Sequence, residues 1–216
     1  MATYADLKQR IVTEMSRDDL ADDLATLLAQ HIAETCDFYS DMRFWFNQIV
    51  EPIVTVSGDS EVAVPATVRI VDRVAGPYGD LTPVTLTKFT DAGETTRSGT
   101  PTSYTWLSGN LRFDPVPDDA IDMTIYGIAQ IDAPANDADS NAWTNEAAGL
   151  IVNHTKMTLY SGQLRDAGGA SAAADAVRWH LDQLKRKTTR RLYTRPVAQL
   201  VRPNGQPVRV GYLDRL

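Results

Sequence analysis

The chain has 216 residues, 43% of them hydrophobic and 23% charged, with a net charge of −7. That length buries a real core without disulfides or metal ions, and the single cysteine, Cys36, excludes an intrachain disulfide. The opening MATYADLKQR has no apolar run behind a basic start, and no stretch approaches the ~20 apolar residues of a membrane helix. The expectation is a protein made in the cytoplasm and not held in a membrane.

The chain opens with helical grammar. Thr3 is placed to cap a first helix in which Leu7, Ile11 and Met15 recur at a spacing of four. A break falls at Ser16-Arg17-Asp18-Asp19. A second helix follows, with Leu20, Leu24, Leu27, Leu28 and Ile32 on one stripe. Its first turns carry Asp18, Asp19, Asp22 and Asp23, where carboxylates suit the positive end of the helix dipole. It is expected to run to about Tyr39, with Phe44-Trp45-Phe46 just beyond.

From Pro52 the pattern changes to strands. Ile53–Val56 and Val62–Val64 flank a polar Gly-Asp turn, and Val68–Val74 is β-branched with partial alternation. Tyr104–Leu107, Ser108-Gly109-Asn110 and Leu111–Phe113 read as a tight hairpin, and Met123–Ile131 as a further strand. Flexible loops are expected around Asp91–Pro101 and Asp132–Asn141.

Helical spacing returns near Asn141 for about 20 residues, through Ala147, Leu150, Ile151, His154 and Met157. Gly168-Gly169 reads as its break and Ser171 as the cap of a last helix, lined by Val177, Leu181, Leu184 and Thr188. After Arg191 the pattern stops, and Pro196, Pro203, Gly205, Pro207 and Gly211 exclude a long helix. The expected fold is α+β: a mainly antiparallel helical bundle of residues 1–49 and 140–192, a β-rich insertion of residues 50–139, and an extended basic tail of residues 193–216. The helices on either side of the insertion each have one apolar stripe and are expected to bury it against one another.

Catalytic patterns are missing from the sequence. His31, His154 and His180 sit on expected helices without the spacing of metal ligands, and no histidine is placed in the sequence so as to argue for a dyad with Cys36. Asp137-Ala138-Asp139-Ser140-Asn141 imitates the start of a calcium loop but has Ala142 and Ala148 where that loop needs Gly and Glu. Ser140 or Asn141 is better read as a helix cap. No phosphate-binding glycine loop or GxSxG elbow is present. The reading is a protein without catalytic residues, metal or cofactor.

Charge is the sharper feature. From Arg178 to Leu216 ten cations stand against Asp182 and Asp214, a net of +8. Residues 1–177 hold eleven cations against 26 carboxylates, a net of −15. Such asymmetry points to two surfaces with different partners. A helix dipole accounts for two or three cations at Lys185–Arg191. It does not account for Arg195, Arg202, Arg209 and Arg215, which continue through a segment where Leu200, Val201, Val208, Val210, Tyr212 and Leu213 alternate with polar residues. That pattern suits docking on another protein by strand addition or groove binding. The candidate docking residues are Arg186, Arg190, Arg191, Tyr193, Arg195, Leu200, Arg202, Arg209, Tyr212 and Leu213. Nucleic-acid binding through Lys185–Arg191, as in a packaging or regulatory protein, is the rival reading. The acidic body and the few aromatic platforms in the tail weigh against it.

The arrangement resembles the head-to-tail adaptor, or connector, proteins of tailed bacteriophages. The resemblance lies in the Tyr4-Ala5-Asp6-Leu7-Lys8 helix, in Phe38-Tyr39 and Phe44-Trp45-Phe46, in the hairpin Tyr104–Pro115, in Ile125-Tyr126 and in the helix starting near Trp143-Thr144. It spans most of residues 1–192. It implies a virion protein that binds below the portal ring, usually as twelve copies, extends the DNA channel and offers a platform to tail or nozzle proteins. It also implies a C-terminal extension that reaches along the portal.

Overall fold

The computed structural model describes residues 1–15, 21–91 and 97–193. Helix α1 (Tyr4–Met15) starts where Thr3 meets Asp6: the Thr3 amide donates to the Asp6 carboxylate and the Asp6 amide to Thr3 Oγ1. Its buried residues are Tyr4, Leu7, Ile11 and Met15, the expected stripe. Helix α2 (Ala21–Ser40) ends one residue past Tyr39. The break expected at Ser16–Asp19 lies outside the described residues.

Among the described residues the middle of the chain builds ten short strands: β1 (Gln48–Val54), β2 (Glu61–Ala63), β3 (Val68–Gly76), β4 (Gly79–Asp80), β5 (Thr82–Pro83), β6 (Ser98–Gly99), β7 (Ser103–Leu107), β8 (Asn110–Asp114), β9 (Val116–Pro117) and β10 (Asp122–Ala129). A short helix α3 (Leu86–Asp91) lies between β5 and β6. One antiparallel sheet has the order β1-β10-β3-β4; a second has the order β2-β8-β7-β5, with β5 parallel to β7; β6 and β9 form a parallel pair. The two segments flanking the Gly58-Asp59 turn therefore part company, β1 pairing with β10 and β2 with β8. Ile53, Val74, Met123 and Ile125 of the first sheet and Tyr104, Leu111 and Phe113 of the second share one buried apolar cluster.

The β7–β8 hairpin forms as expected. Leu107 faces Asn110, and the two loop residues, Ser108 and Gly109, both have positive φ (51° and 82°). This is the primed turn whose twist matches that of antiparallel strands. Gly127 marks a register shift between β10 and β3, where the backbones approach so closely that a Cβ would lie 2.0 Å from the Ile70 carbonyl oxygen.

The returning helices differ from the sequence reading in two places. The single helix expected from Asn141 is two: α4 (Ala142–Asn145) and α5 (Ala148–Gly162). Asn141 accepts from the Trp143 and Thr144 amides while Thr144 Oγ1 accepts from the Asn141 amide, a reciprocal cap. Helix α6 (Ala167–Tyr193) begins before Gly168-Gly169, not after it. Asp166, rather than Ser171, is the cap, its Oδ1 accepting from both glycine amides at 3.0 Å. The glycines sit in the first turn, where no helical hydrogen bond depends on their amides.

A second apolar cluster joins α1, α2, α4, α5 and α6. Trp143 is fully buried at its centre. Its ring meets Phe44 and Phe46 edge-on, and its Nε1 donates to the Ile131 carbonyl at 3.0 Å. Arg69 of β3 reaches Asp37 and Asp41 at the end of α2 (2.9 and 2.6 Å), and Arg43 reaches Asp72 (2.6 Å). These pairs fix the sheet to the helices. The segment 132–141, expected as a flexible loop, is tied to the start of α1: the Tyr4 and Ala5 amides donate to the Asp139 and Asp137 carbonyls, and Lys8 pairs with the Asp137 carboxylate. The Asp139 carboxyl is held below its ordinary range by the amides of Asn136 and Ala135.

Candidate docking surface

Helix α6 carries the basic stretch, and its packing decides where each cation goes. Ala173, Val177, Leu184 and Thr188 are buried, with Leu181 packed beside them, so the expected inner stripe faces α5. The helices meet closely at two glycines. A Cβ at Gly149 would lie 2.3 Å from the His180 ring, and one at Gly169 would lie 2.9 Å from the Tyr160 ring.

Near its C-terminal end α6 is held by the segment after α2. Thr188 Oγ1 donates to the Leu184 carbonyl (2.8 Å) and accepts from the Trp45 amide (3.3 Å). The Trp45 ring then receives the Arg191 guanidinium at 4.7 Å and the Lys187 ammonium at 5.7 Å from its centroid. Such cation–ring contacts contribute about 0.5–1 kcal/mol at exposed sites. Arg191 is thus engaged within the molecule. Lys185, Arg186 and Arg190 are exposed on the other side and meet no carboxylate among the described residues. Arg186 and Arg190, four residues apart, share one face. Tyr193 ends the helix. Its side chain and Arg195, Leu200, Arg202, Arg209, Tyr212 and Leu213 lie outside the described residues.

Sequence reasoning missed Trp45 as the partner of α6. The two are 143 residues apart from Thr188 to Trp45, and nothing local marks the contact beyond an aromatic next to a helix end.

The titratable groups are structural. Cys36 is buried and its thiol is pushed up to about 12 by burial, which removes its nucleophilic form at neutral pH. Tyr39 Oη and His154 Nδ1 share a 2.7 Å hydrogen bond; burial pushes Tyr39 up to about 12 and His154 down. His180 is lowered by burial and by Arg10. His31 Nδ1 lies 3.1 Å from Glu34. Among the described residues no three His, Cys, Asp or Glu side chains converge on a possible metal position.

The described residues thus form a helical bundle whose last helix bears cations, joined to a β unit. A family model described as SU10 adaptor protein matches residues 2–202, almost the whole chain, and the chain belongs to that family. Its members are non-enzymatic head-to-tail adaptors of tailed bacteriophages, so this is a viral structural protein that works with the portal and tail components of the virion. No curated protein matches the chain.

Proposed function

We propose that copies of this chain form a closed ring, of twelve subunits, below the portal. The ring extends the DNA channel and presents the platform on which tail or nozzle proteins assemble. The observation that carries this reading is the family match over residues 2–202. The exposed, carboxylate-free cations Arg186 and Arg190 at the outgoing end of α6 support it.

In this reading the helices of residues 1–49 and 140–192 form the ring wall, and the β unit of residues 50–139 stands out from it. Residues 193–216 form the arm that lies along the portal. Arg186, Arg190, Arg191, Tyr193, Arg195, Leu200, Arg202, Arg209, Tyr212 and Leu213 make the contact, with arginines pairing to portal carboxylates and Leu200, Tyr212 and Leu213 filling apolar hollows. The surplus of 26 carboxylates over eleven cations in residues 1–177 suits a channel wall past which DNA slides without sticking.

The test is electron microscopy of the purified protein mixed with its portal. Rings seated on the portal are expected for the full chain, and no seated rings after deletion of residues 193–216. Undiminished attachment by the truncated chain would refute the arm. Tight, steeply salt-dependent binding of DNA by the full chain would favour the nucleic-acid reading instead.

A further inference from the structure

The first sheet ends on an open strand. In the order β1-β10-β3-β4, β1 pairs with β10 and leaves its other edge unpaired among the described residues. Asn47 accepts from the Ala129 amide and the Thr55 amide donates to Ile121, so the odd-numbered residues of β1 bond to β10. Gln48, Val50, Pro52 and Val54 turn their backbone groups to the open edge, and the same four carry exposed side chains. Val50 is 61% and Val54 53% exposed, and Tyr126 lies opposite Val50 on the same face. Glu51 stands on the other face, between Ile49 and the buried Ile53. A carboxylate on the core-facing side of an edge strand, with a proline beside it, turns away stray strands. The two also define the strand that fits: one that brings a cation to Glu51 and takes no hydrogen bond from the Pro52 nitrogen.

The far end of β1 has the same sign of charge. Asp118, Asp119 and Asp122 are exposed around it; Asp122 lies opposite Val54, and the carbonyls of the other two accept from the Ser57 and Thr55 hydroxyls. Like Glu51, they meet no cation among the described residues: Arg73 and Arg112 are taken by Asp80 and Glu61. Arg97, exposed beside β9, adds a single positive charge against these four carboxylates.

The chain itself holds a fitting segment. Val208-Arg209-Val210-Gly211-Tyr212 puts apolar residues at alternate positions with an arginine between the first two, and no proline follows Pro207. The fold fixes where that segment is tethered. Thr188 and Arg191 both meet Trp45, so α6 ends beside a residue three positions before β1. Fifteen residues separate Tyr193 from Val208 and span up to ~50 Å when extended, against ~20 Å for the seven residues of β1. A tethered segment within reach of its seat acts at an effective concentration of roughly millimolar.

We propose that in the free subunit residues 208–212 add to the open edge of their own β1. Arg209 pairs with Glu51, and Val208, Val210 and Tyr212 extend the exposed face of Val50 and Val54. This rests on the reading of residues 193–216 as the portal arm: the arm is stored on β1 until the portal takes it. Storage also covers an edge that is otherwise open to pairing between copies.

The test is hydrogen exchange of the full-length subunit without portal, resolved to single amides by mass spectrometry with fragmentation. The Val50 and Val54 amides, which point away from β10, are expected to be protected. They should exchange about tenfold faster or more once residues 194–216 are deleted. Arg209→Glu lies in the arm and should release them as the deletion does, with unchanged circular dichroism. Adding Glu51→Arg to it should restore protection. Equal exchange in the full and truncated chains overturns the seat, as does protection that Arg209→Glu leaves intact. Protection that rises with protein concentration, with dimers in sedimentation, gives the edge to a neighbouring copy's arm and overturns the seat within one chain. These results are read without portal, so they stand apart from attachment of the truncated chain, which tests the arm itself. With portal added, the same two amides should become exposed; protection that persists in seated rings overturns storage.

Discussion

Gly127→Ala isolates the closest contact that an added Cβ would make at any of the described glycines. Gly127 lies in β10, between β1 and β3. A methyl group there would lie 2.0 Å from the Ile70 carbonyl oxygen and 3.1 Å from its carbon. Carbon and oxygen rest at about 3.3 Å or more, so β10 and β3 must part by more than ~1 Å. No side chain can absorb that shift, because the obstacle is backbone. Overpacking of this kind costs about 3 kcal/mol at the upper end of its usual range, and a broken ladder bond adds about 1 kcal/mol. The matched control is Gly162→Ala, in the last turn of α5, where the methyl group meets nothing within 4 Å. It should be neutral or stabilising by up to ~1 kcal/mol through helix propensity. Urea unfolding checks both: the midpoint of Gly127→Ala falls by the equivalent of about 4 kcal/mol at unchanged m-value. A Gly127→Ala protein within about 0.5 kcal/mol of its parent would refute the argument from close approach.

Arg69→Ala removes both ion pairs between β3 and the end of α2, and should cost about 1–2 kcal/mol, less at high salt, read by urea melts at two ionic strengths. At alkaline pH, Cys36 and Tyr39 have folded values raised to about 12 from ordinary values of 9.0 and 10.0. Their contribution is complete below pH 9 and is lost as pH rises above it, so melting temperature should fall from there, and Cys36→Ala should delay the fall. On the acid side His154 and His180 are lowered from 6.5. The unfolded chain then binds more protons, so stability is complete above pH 6.5 and declines as pH drops below it. His154→Gln should flatten that decline in a series of thermal melts. Thr188→Ala removes the acceptor for the Trp45 amide and should destabilise by about 1 kcal/mol while loosening the end of α6, seen as faster amide exchange there.

Elements with local signatures were legible in the sequence. The β7–β8 hairpin declares itself through the strand-like runs on either side of Ser108-Gly109, and α1 through Thr3 and a spacing of four. What resisted was decided by partners far along the chain. Gly168-Gly169 reads as a break, but one carboxylate at Asp166 makes it a first turn. The segments around Gly58-Asp59 look like one hairpin, yet β10 and β8 claim one strand each. At the docking surface, charge counting located the cations but not their directions. Arg190 and Arg191 are neighbours in sequence and both exposed; only Trp45, brought in by the fold, gives one of them a partner on the protein surface.

The 27 residues of α6 make a rod ~40 Å long, gripped along one side by α5 from Gly149 to Tyr160. A pull on its C-terminal end, directed along the axis, does not peel it away turn by turn. It loads the apolar stripe from Ala173 to Thr188 in shear, so those contacts resist together and yield together. A subunit anchored through this end meets tension with the strength of that whole stripe, while a sideways pull on the same end meets first only the hold of Thr188 and Trp45.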